Sequence, residues 1–434
     1  MISEKISLGI NGNIKIPGDK SISHRSIIIP SISKGICEIS NLLKSEDVLH
    51  TLNAFKSLGV KIEEQNDKTI VYGRGLNSLK KSSKELFLGN SGTSARLLTG
   101  LLSSYPFISV LKGDKSLSSR PMNRIIDPLI KMNGEFKSTN GSLPLKIIGK
   151  ELNNFNHEIL IPSAQVKSGI ILACLNTEGK STIIENHVTR NHTEIMLQSF
   201  DANIDIKKNI SSSKIIINGK NELKSKNIEV PSDLSSSAFF IVAALINTDS
   251  KIRLKNINLN PTRDGILKAL KIMGANIAFT NKKIINNEYV ADILVESSNL
   301  KGCELDESMA KLMIDEYPIL SIAASFANSP SVFKGLQELK VKESNRLELI
   351  KINLNKCGIF CEINNNDLFI DPTKKNSIKD NNIKTDFDHR IAMSFAVMGS
   401  KLGNLKIEDS ESINTSFPKF KEIYNSSGGN LIEK

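Results

Sequence analysis

The sequence predicts an α/β protein of two similar domains, each assembled from three copies of a mixed strand and helix unit. Two observations carry that prediction. Six times an amphipathic stretch ends at glycine or a similar turn residue and an alternating strand follows. The turns are Leu58-Gly59-Val60, Met132-Asn133-Gly134, Phe200-Asp201-Ala202, Met273-Gly274-Ala275, Cys357-Gly358-Ile359 and Gly428-Gly429-Asn430. A residue that tolerates the left-handed conformation just past a helix closes off its last carbonyls. Successive turns lie roughly 70 to 80 residues apart, too far for a solenoid and suited to a compact α/β unit. The second observation is polar, Gly/Pro-marked punctuation from Gly12 to Gly18 and from Asn221 to Asn227, with three turns between these points and three after them. The expected domains are residues 1–13 with 231–434, and residues 14–230, the chain crossing near 13–18 and 228–232. Two domains joined by two chain segments predict a ligand cleft with hinge closure.

The bulk numbers narrow the class. The chain has 434 residues, 39% apolar and 24% charged, as in globular proteins. No run approaches the roughly 20 apolar residues that span a bilayer, and neither a signal peptide nor a transit segment is recognisable, so a cytoplasmic protein is expected. The five cysteines, Cys37, Cys174, Cys303, Cys357 and Cys361, are scattered and read as ordinary reduced thiols. His187 and His192 lack the i, i+4 spacing of a helical zinc site, so no metal and no cofactor are expected. The net charge of +11 admits polyanion binding, but there is no Trp, aromatics are 5%, and the lysines are spread evenly. Small anionic substrates explain the charge without nucleic acid or membrane. A monomer is expected.

Ten arginines stand against 47 lysines. In such a chain arginine marks places where lysine does not serve, because its planar fork grips carboxylate and phosphate at two points. Arg25, Arg96, Arg120, Arg190, Arg346 and Arg390 all lie in Gly/Ser/Asp-rich stretches. Arg74, Arg253 and Arg263 look unremarkable.

The richest stretch is Pro17-Gly18-Asp19-Lys20-Ser21-Ile22-Ser23-His24-Arg25, followed by an apolar run. Glycine, hydroxyls and two cations where a loop enters an apolar segment suit a bound anion. It is not a P-loop, since the first glycine of that pattern is missing. Gly113-Asp114-Lys115-Ser116-Leu117-Ser118-Ser119-Arg120 matches it at six of eight positions. Gly89-Asn90-Ser91-Gly92-Thr93-Ser94-Ala95-Arg96 reads as an anion cradle at a helix N-terminus. Pro162-Ser163-Ala164-Gln165-Val166-Lys167-Ser168 offers small polar groups before an apolar run, and Ser232-Asp233-Leu234-Ser235 reads as plain capping. Asp315-Glu316-Tyr317-Pro318 offers acids at a helix start, one of which can serve as a general base. In Lys342-Glu343-Ser344-Asn345-Arg346 the acid and the arginine are three apart and are expected to share a helical face. Asp388-His389-Arg390 begins another helix. Singly, each stretch also reads as a capped helix or a solvated face. Together they imply acid/base chemistry on anionic substrates.

These motifs, in this order across essentially the whole chain, resemble the 5-enolpyruvylshikimate-3-phosphate synthases, the shikimate-pathway enzymes inhibited by glyphosate. The resemblance implies two domains of three βαβαββ units each, an inside-out α/β barrel arrangement with the active site in the interdomain cleft. It implies transfer of the enolpyruvyl group of phosphoenolpyruvate to the 5-hydroxyl of shikimate 3-phosphate, with release of phosphate. By motif matching, Asp315 is the base, Glu343 the proton donor and Lys20 an aid to charge and proton movement. Lys20, Gly92, Arg120, Gln165, Arg346 and Arg390 would line the phosphoenolpyruvate site. Lys20, Ser21, Arg25, Ser163, Ala164, Gln165, Arg190, Asp315 and Lys342 would hold shikimate 3-phosphate.

Two details depart from a uniform match. Ser163-Ala164-Gln165 and Arg190-Asn191-His192-Thr193 resemble the branch that includes glyphosate-tolerant enzymes, while Gly92 resembles the sensitive ones. Thr415 stands where part of the family has a lysine before Thr-Phe-Pro. The nearest alternative is the enolpyruvyl transferase acting on UDP-N-acetylglucosamine. That enzyme has Lys-Asn where this chain has Lys20-Ser21, and a loop cysteine in a region where this chain has none between Cys37 and Cys174. A non-catalytic polyanion-binding protein would leave Asp315 and Glu343 without a purpose.

Overall fold

The computed structural model of the chain describes residues 1–209 and 212–433, save the side chain of Lys375. Each of the six repeat turns is in the left-handed region: φ is 87° at Gly59, 75° at Asn133, 59° at Asp201, 86° at Gly274, 79° at Gly358 and 110° at Gly428. Two are filled by Asn and Asp, the side chains that enter this region most readily after glycine. Each follows an outer helix: Glu46–Ser57, Asn123–Lys131, His192–Ser199, Gly265–Ile272, Arg346–Lys356 and Phe420–Ser426.

The strands form six four-stranded sheets with one recurring pattern. In the sheet of Leu86–Phe87, Ile108–Lys112, Leu145–Ile148 and Glu135–Ser138, the first pair is parallel and the next two are antiparallel. The sheet of Asn156–Ile159, Lys180–Glu185, Ser213–Asn218 and Ile204–Lys208 repeats it. So does the sheet of Glu304–Leu305, Ser331–Phe333, Asp367–Lys375 and Ile359–Asn364. The parallel pair requires a crossover, and an inner helix provides it. These helices are α1 (Lys20–Ser31), α2 (Gly92–Ser103), α3 (Ala164–Leu175), α4 (Leu234–Ile246), α5 (Tyr317–Ser325) and α6 (His389–Leu402).

Three repeats borrow a strand from a distant part of the chain. Ile228–Glu229 lies parallel to Lys34–Ser40, completing the repeat of α1. Asn11–Ile14 lies parallel to Lys251–Asn258, completing that of α4. Ile2–Ser3 lies between Leu405–Ile407 and Leu431–Ile432, completing that of α6. The contacts divide accordingly. One compact unit comprises Met1–Pro17, Pro231–Ile284 and Tyr289–Lys434; the other comprises Gly18–Val230 with Ile285–Glu288. Below they are the C-terminal and N-terminal units. Each has its own apolar core.

The inner helices are buried nearly all round, which explains their apolar composition. Their serines stay satisfied by bonding back one turn, as Ser26 Oγ does to Ile22 O at 2.9 Å and Ser321 Oγ to Tyr317 O at 2.8 Å. Helices α2 and α3 meet backbone to backbone. A Cβ placed on Gly100 would lie 1.9 Å from the Gly169 carbonyl oxygen, and one on Gly169 2.6 Å from that of Arg96. Only glycine permits this approach, and it sets the start of α2 beside the start of α3. Among the described residues no helix is long and apolar enough to cross a membrane.

Candidate functional site

Lys20, Ser21, Gly92, Ala164, Gln165 and Arg390 lie at the N-termini of inner helices, where backbone N–H groups and the helix dipole favour anions, and Arg346 opens an outer one. In the N-terminal unit the three helices begin alike. Asp19 Oδ1 accepts from Ile22 N at 2.9 Å, Ser91 Oγ from Ser94 N at 3.1 Å, and Ser163 Oγ from Val166 N at 3.3 Å. Lys20 and Ser21 open α1, Gly92 opens α2, and Ala164 and Gln165 open α3.

Gly92, Arg120 and Gln165 are brought together, and Arg96 joins them. Arg96 Nη1 donates to Gln165 Oε1 at 3.0 Å and to Gly92 O at 3.2 Å. Gln165 Nε2 donates to Thr93 Oγ1 at 3.1 Å. Arg120 donates to Asn90 Oδ1 and, at 3.3 Å, to Ser116 Oγ. A Cβ on Gly92 would lie 2.8 Å from Arg96 Nη1 and 3.1 Å from Arg120 Nη1, so both guanidinium groups face this one glycine. The likeness of the two Gly-Asp-Lys-Ser stretches is structural as well. Asp114 caps the short helix Lys115–Ser118 as Asp19 caps α1, accepting from Leu117 N at 2.7 Å.

Arg25 is buried on the second turn of α1. Its Nε donates to Thr193 Oγ1 at 2.6 Å, Nη2 to Ser168 Oγ at 2.8 Å, and Nη1 to Ser21 O at 2.8 Å. Burial lowers its pKa to about 10, opposed by the charges of Glu194 and Asp19 and aided by that of Arg190. It remains a cation at neutral pH. Arg190 is half-buried in the loop before the helix His192–Ser199. Lys20 is ion-paired with the buried Asp47. His24, between Lys20 and Arg25 in sequence, is buried with Nδ1 2.8 Å from Thr51 Oγ1. Burial, then the charges of Lys20 and Arg25, hold its pKa well below the usual value.

The C-terminal unit gathers Asp315, Lys342, Glu343, Arg346 and Arg390. Arg346 is fully buried at the first position of its helix. Its Nη2 donates to Glu343 Oε2 at 2.5 Å, Nη1 to Asp315 Oδ1 at 3.2 Å, and Nε to Asp388 Oδ2 at 2.8 Å. Burial would lower its pKa, but Asp388, Glu343 and Asp315 outweigh burial and raise it. Ser344 Oγ adds a bond to Asp388 Oδ2 at 2.9 Å. Lys342 Nζ lies 3.8 Å from Asp315 Oδ1. Arg390 Nη1 donates to Asp315 O at 3.1 Å and lies 3.5 Å from Glu316 Oε1.

One expectation is corrected here. Glu343 and Arg346 do not share a helical face, because Asn345 caps the helix and Glu343 precedes it. The ion pair forms across the cap instead. A second correction concerns Arg263, which is buried and donates to Ser235 Oγ at 2.6 Å and Asp233 Oδ1 at 3.3 Å. Ser235 in turn bonds Glu316, the partner of Arg390. Thr415 Oγ1 lies 3.4 Å from His389 Nδ1, at the start of α6. The cysteines are buried and free. Burial pushes the thiols of Cys37, Cys174, Cys357 and Cys361 up to about 12. Among the described residues, no three His, Cys, Asp or Glu side chains are grouped to hold a metal ion.

Residues 5–424 match the family model described as EPSP synthase, 3-phosphoshikimate 1-carboxyvinyltransferase. The chain is 45% identical over 426 residues to the 3-phosphoshikimate 1-carboxyvinyltransferase of Vesicomyosocius okutanii, covering 97% of this chain and 96% of that one. It is 43% identical over 417 residues to the Thermoanaerobacter sp. protein of the same name, covering 96% and 97%. The solved EPSP synthase of Acinetobacter baumannii is similar at a TM-score of 0.86 with 40% identity, over 98% of each chain. The enolpyruvyl transferase NikO of Streptomyces tendae shares the fold, with a TM-score of 0.77 and 14% identity over 99% of this chain and 97% of that one.

Proposed function

The chain belongs to the EPSP synthase family, and on that premise we propose how its own residues transfer the enolpyruvyl group of phosphoenolpyruvate to the 5-hydroxyl of shikimate 3-phosphate. The observation that carries the assignment of roles is Arg346. One buried guanidinium holds Asp315 on Nη1 and Glu343 on Nη2, so the two acids are fixed at neighbouring points.

In the proposed sequence Asp315 takes the proton of the 5-hydroxyl as its oxygen attacks C2 of phosphoenolpyruvate. Glu343 gives a proton to C3, and a tetrahedral intermediate results. Loss of phosphate from C2 and return of a C3 proton to Glu343 restore the double bond. Glu343 begins ion-paired, hence ill-suited to donate. The carboxylate of phosphoenolpyruvate, drawn to Arg346 and Arg390, competes for the guanidinium and leaves Glu343 free to take up from solvent the proton it delivers. Substrate binding thereby arms the acid. Lys20, Arg120 and Gln165, with Gly92 leaving room, take the remaining charge of phosphoenolpyruvate. Ser21, Arg25, Ser163, Ala164, Gln165, Arg190 and Lys342 hold shikimate 3-phosphate, aided by Lys20 and Asp315. Two unit charges about 4 Å apart interact by roughly 4 kcal/mol at an effective dielectric near 20, so several such contacts account for orientation of both anions.

The test is phosphate release by the purified chain with each substrate alone and with both. Release only with both is expected. Release from phosphoenolpyruvate with UDP-N-acetylglucosamine in place of shikimate 3-phosphate, or none with the pair, would overturn the reading.

A further inference from the structure

We propose that the buried ionic triad of Lys167, Glu185 and Glu194 is the positioning device for the shikimate 3-phosphate subsite. This rests on the reading above that Arg25 and Arg190 hold that substrate. Lys167 Nζ lies 2.9 Å from Glu185 Oε2 and 2.7 Å from Glu194 Oε1, and all three side chains are out of contact with solvent. Withdrawing three charges from water is costly, and apolar residues of similar volume serve stability at least as well. Their placement gives them another use.

On one side the triad grips the loop that carries Arg190. Lys167 Nζ donates to Thr189 O at 3.3 Å. Glu185 Oε1 accepts from Thr189 N at 3.2 Å and from Thr189 Oγ1 at 2.5 Å. The residue before Arg190 is thus held at its amide, carbonyl and hydroxyl. Ser213 Oγ, at 2.8 Å from Glu185 Oε2, anchors the grip to a neighbouring strand.

On the other side the triad sets Arg25. Lys167 and Ser168 are consecutive on α3; Thr193 and Glu194 are consecutive on the helix His192–Ser199. Each pair gives one member to the triad and one hydroxyl to Arg25. Thr193 Oγ1 and Ser168 Oγ are also bonded to each other at 2.7 Å. One lysine between two carboxylates leaves a single negative charge, and Glu194 acts on Arg25 through it. Without Lys167 two buried carboxylates would compete for the Arg25 guanidinium, drawing its charge away from a ligand. A displacement of about 1 Å at a positioning group can cost on the order of a hundredfold in rate or binding.

The experiment is steady-state phosphate release by Lys167→Met and by the double variant Lys167→Met/Glu194→Gln, each substrate varied in turn, with thermal unfolding alongside. The double variant keeps the net charge of the triad while removing the grip on Thr189 O. The expected result in both is a KM for shikimate 3-phosphate raised about tenfold or more, with the KM for phosphoenolpyruvate within about twofold of wild type. The double variant is expected to unfold nearer to wild type than the single one, so it carries the test where Lys167→Met does not fold. Equal changes in both KM values, or a wild-type KM for shikimate 3-phosphate in the double variant, would overturn the proposal while leaving the function intact. A wild-type chain inert toward the substrate pair would sink the function and the proposal with it.

Discussion

At the N-termini of α1, α2 and α3 the capping residues are Asp19, Ser91 and Ser163, whereas α4, α5 and α6 begin at Asp233, Glu316 and Asp388. Both units use the same repeat, yet they treat charge differently. In the N-terminal unit Arg25 donates to hydroxyl and carbonyl oxygens. Neutral acceptors orient a guanidinium without cancelling its charge, so the charge still acts on an incoming anion. In the C-terminal unit Arg346 is enclosed by Asp388, Asp315 and Glu343, and Arg390 lies against Glu316. Arginine there holds carboxylates in place. One repeat therefore sets a guanidinium on neutral acceptors at Arg25 and among carboxylates at Arg346.

That contrast breaks most visibly at Arg346. Arg346→Met would leave three carboxylates around a buried apolar side chain. Removing one partner of a buried pair typically destabilises by about 3–5 kcal/mol. Urea unfolding is expected to show a loss of that size together with loss of turnover. Arg25→Met, whose hydrogen-bond partners Thr193, Ser21 and Ser168 are neutral groups, is expected to lose less stability and mainly raise the KM for shikimate 3-phosphate. Equal losses of stability in the two variants would dissolve the distinction between the two arginines.

The acids come next. Asp315→Ala and Glu343→Gln are expected to lower turnover by roughly 10²- to 10⁴-fold, the usual worth of a general acid or base. Each removes only one of the three carboxylates around Arg346, so thermal unfolding is expected to stay near wild type. Unchanged turnover in both variants would remove proton transfer from the C-terminal unit.

What could be read from the sequence follows the range of the forces involved. The six repeats were legible because a left-handed cap is local chemistry, visible at Gly59 or Asn133 without any partner. Helix starts were legible because small and charged residues before an apolar run are also local. The rarity of arginine drew attention to Arg96, which the fold then places between Gly92 and Gln165. The same rule passed over Arg263, whose partners Asp233 and Ser235 lie about 30 residues away in the chain. Lys167 looked like one more polar residue at a helix start, since its two carboxylates come from a strand and another helix. Gly100 and Gly169 were invisible because their requirement exists only when α2 meets α3. The Glu343–Arg346 pairing was legible as spacing, but the cap at Asn345 changed its geometry.

Gly92→Ala probes the crowding around Gly92. The new Cβ would press on the ends of Arg96 and Arg120, at 2.8 and 3.1 Å, and both side chains can shift by a few tenths of an ångström. The backbone is helical, so little loss of stability is expected. Displacing two guanidinium groups is expected to raise the KM for phosphoenolpyruvate about tenfold, with that for shikimate 3-phosphate unchanged. Equal increases for both substrates would mean that the Gly92 cluster and Arg25 do not serve separate ligands.

The smallest effect expected is also the most direct measure of how positive the N-terminal half is. His24 stays neutral because burial, Lys20 and Arg25 all oppose its protonation. As pH falls below about 6.5, the unfolded chain binds a proton that the folded chain refuses. Stability therefore falls with pH in that range, by at most about 1.4 kcal/mol per pH unit, until the folded group also titrates. Above that range the contribution is flat. His24→Gln removes this proton while keeping a polar group near Thr51. Urea unfolding at pH 6.5 and 5.5 is expected to show a shallower loss in the variant than in wild type. Carboxylates elsewhere contribute to both chains and cancel in the difference. Identical slopes would mean that the half holding Lys20 and Arg25 tolerates a further cation, and that its acceptors screen those charges instead of leaving them to the substrate.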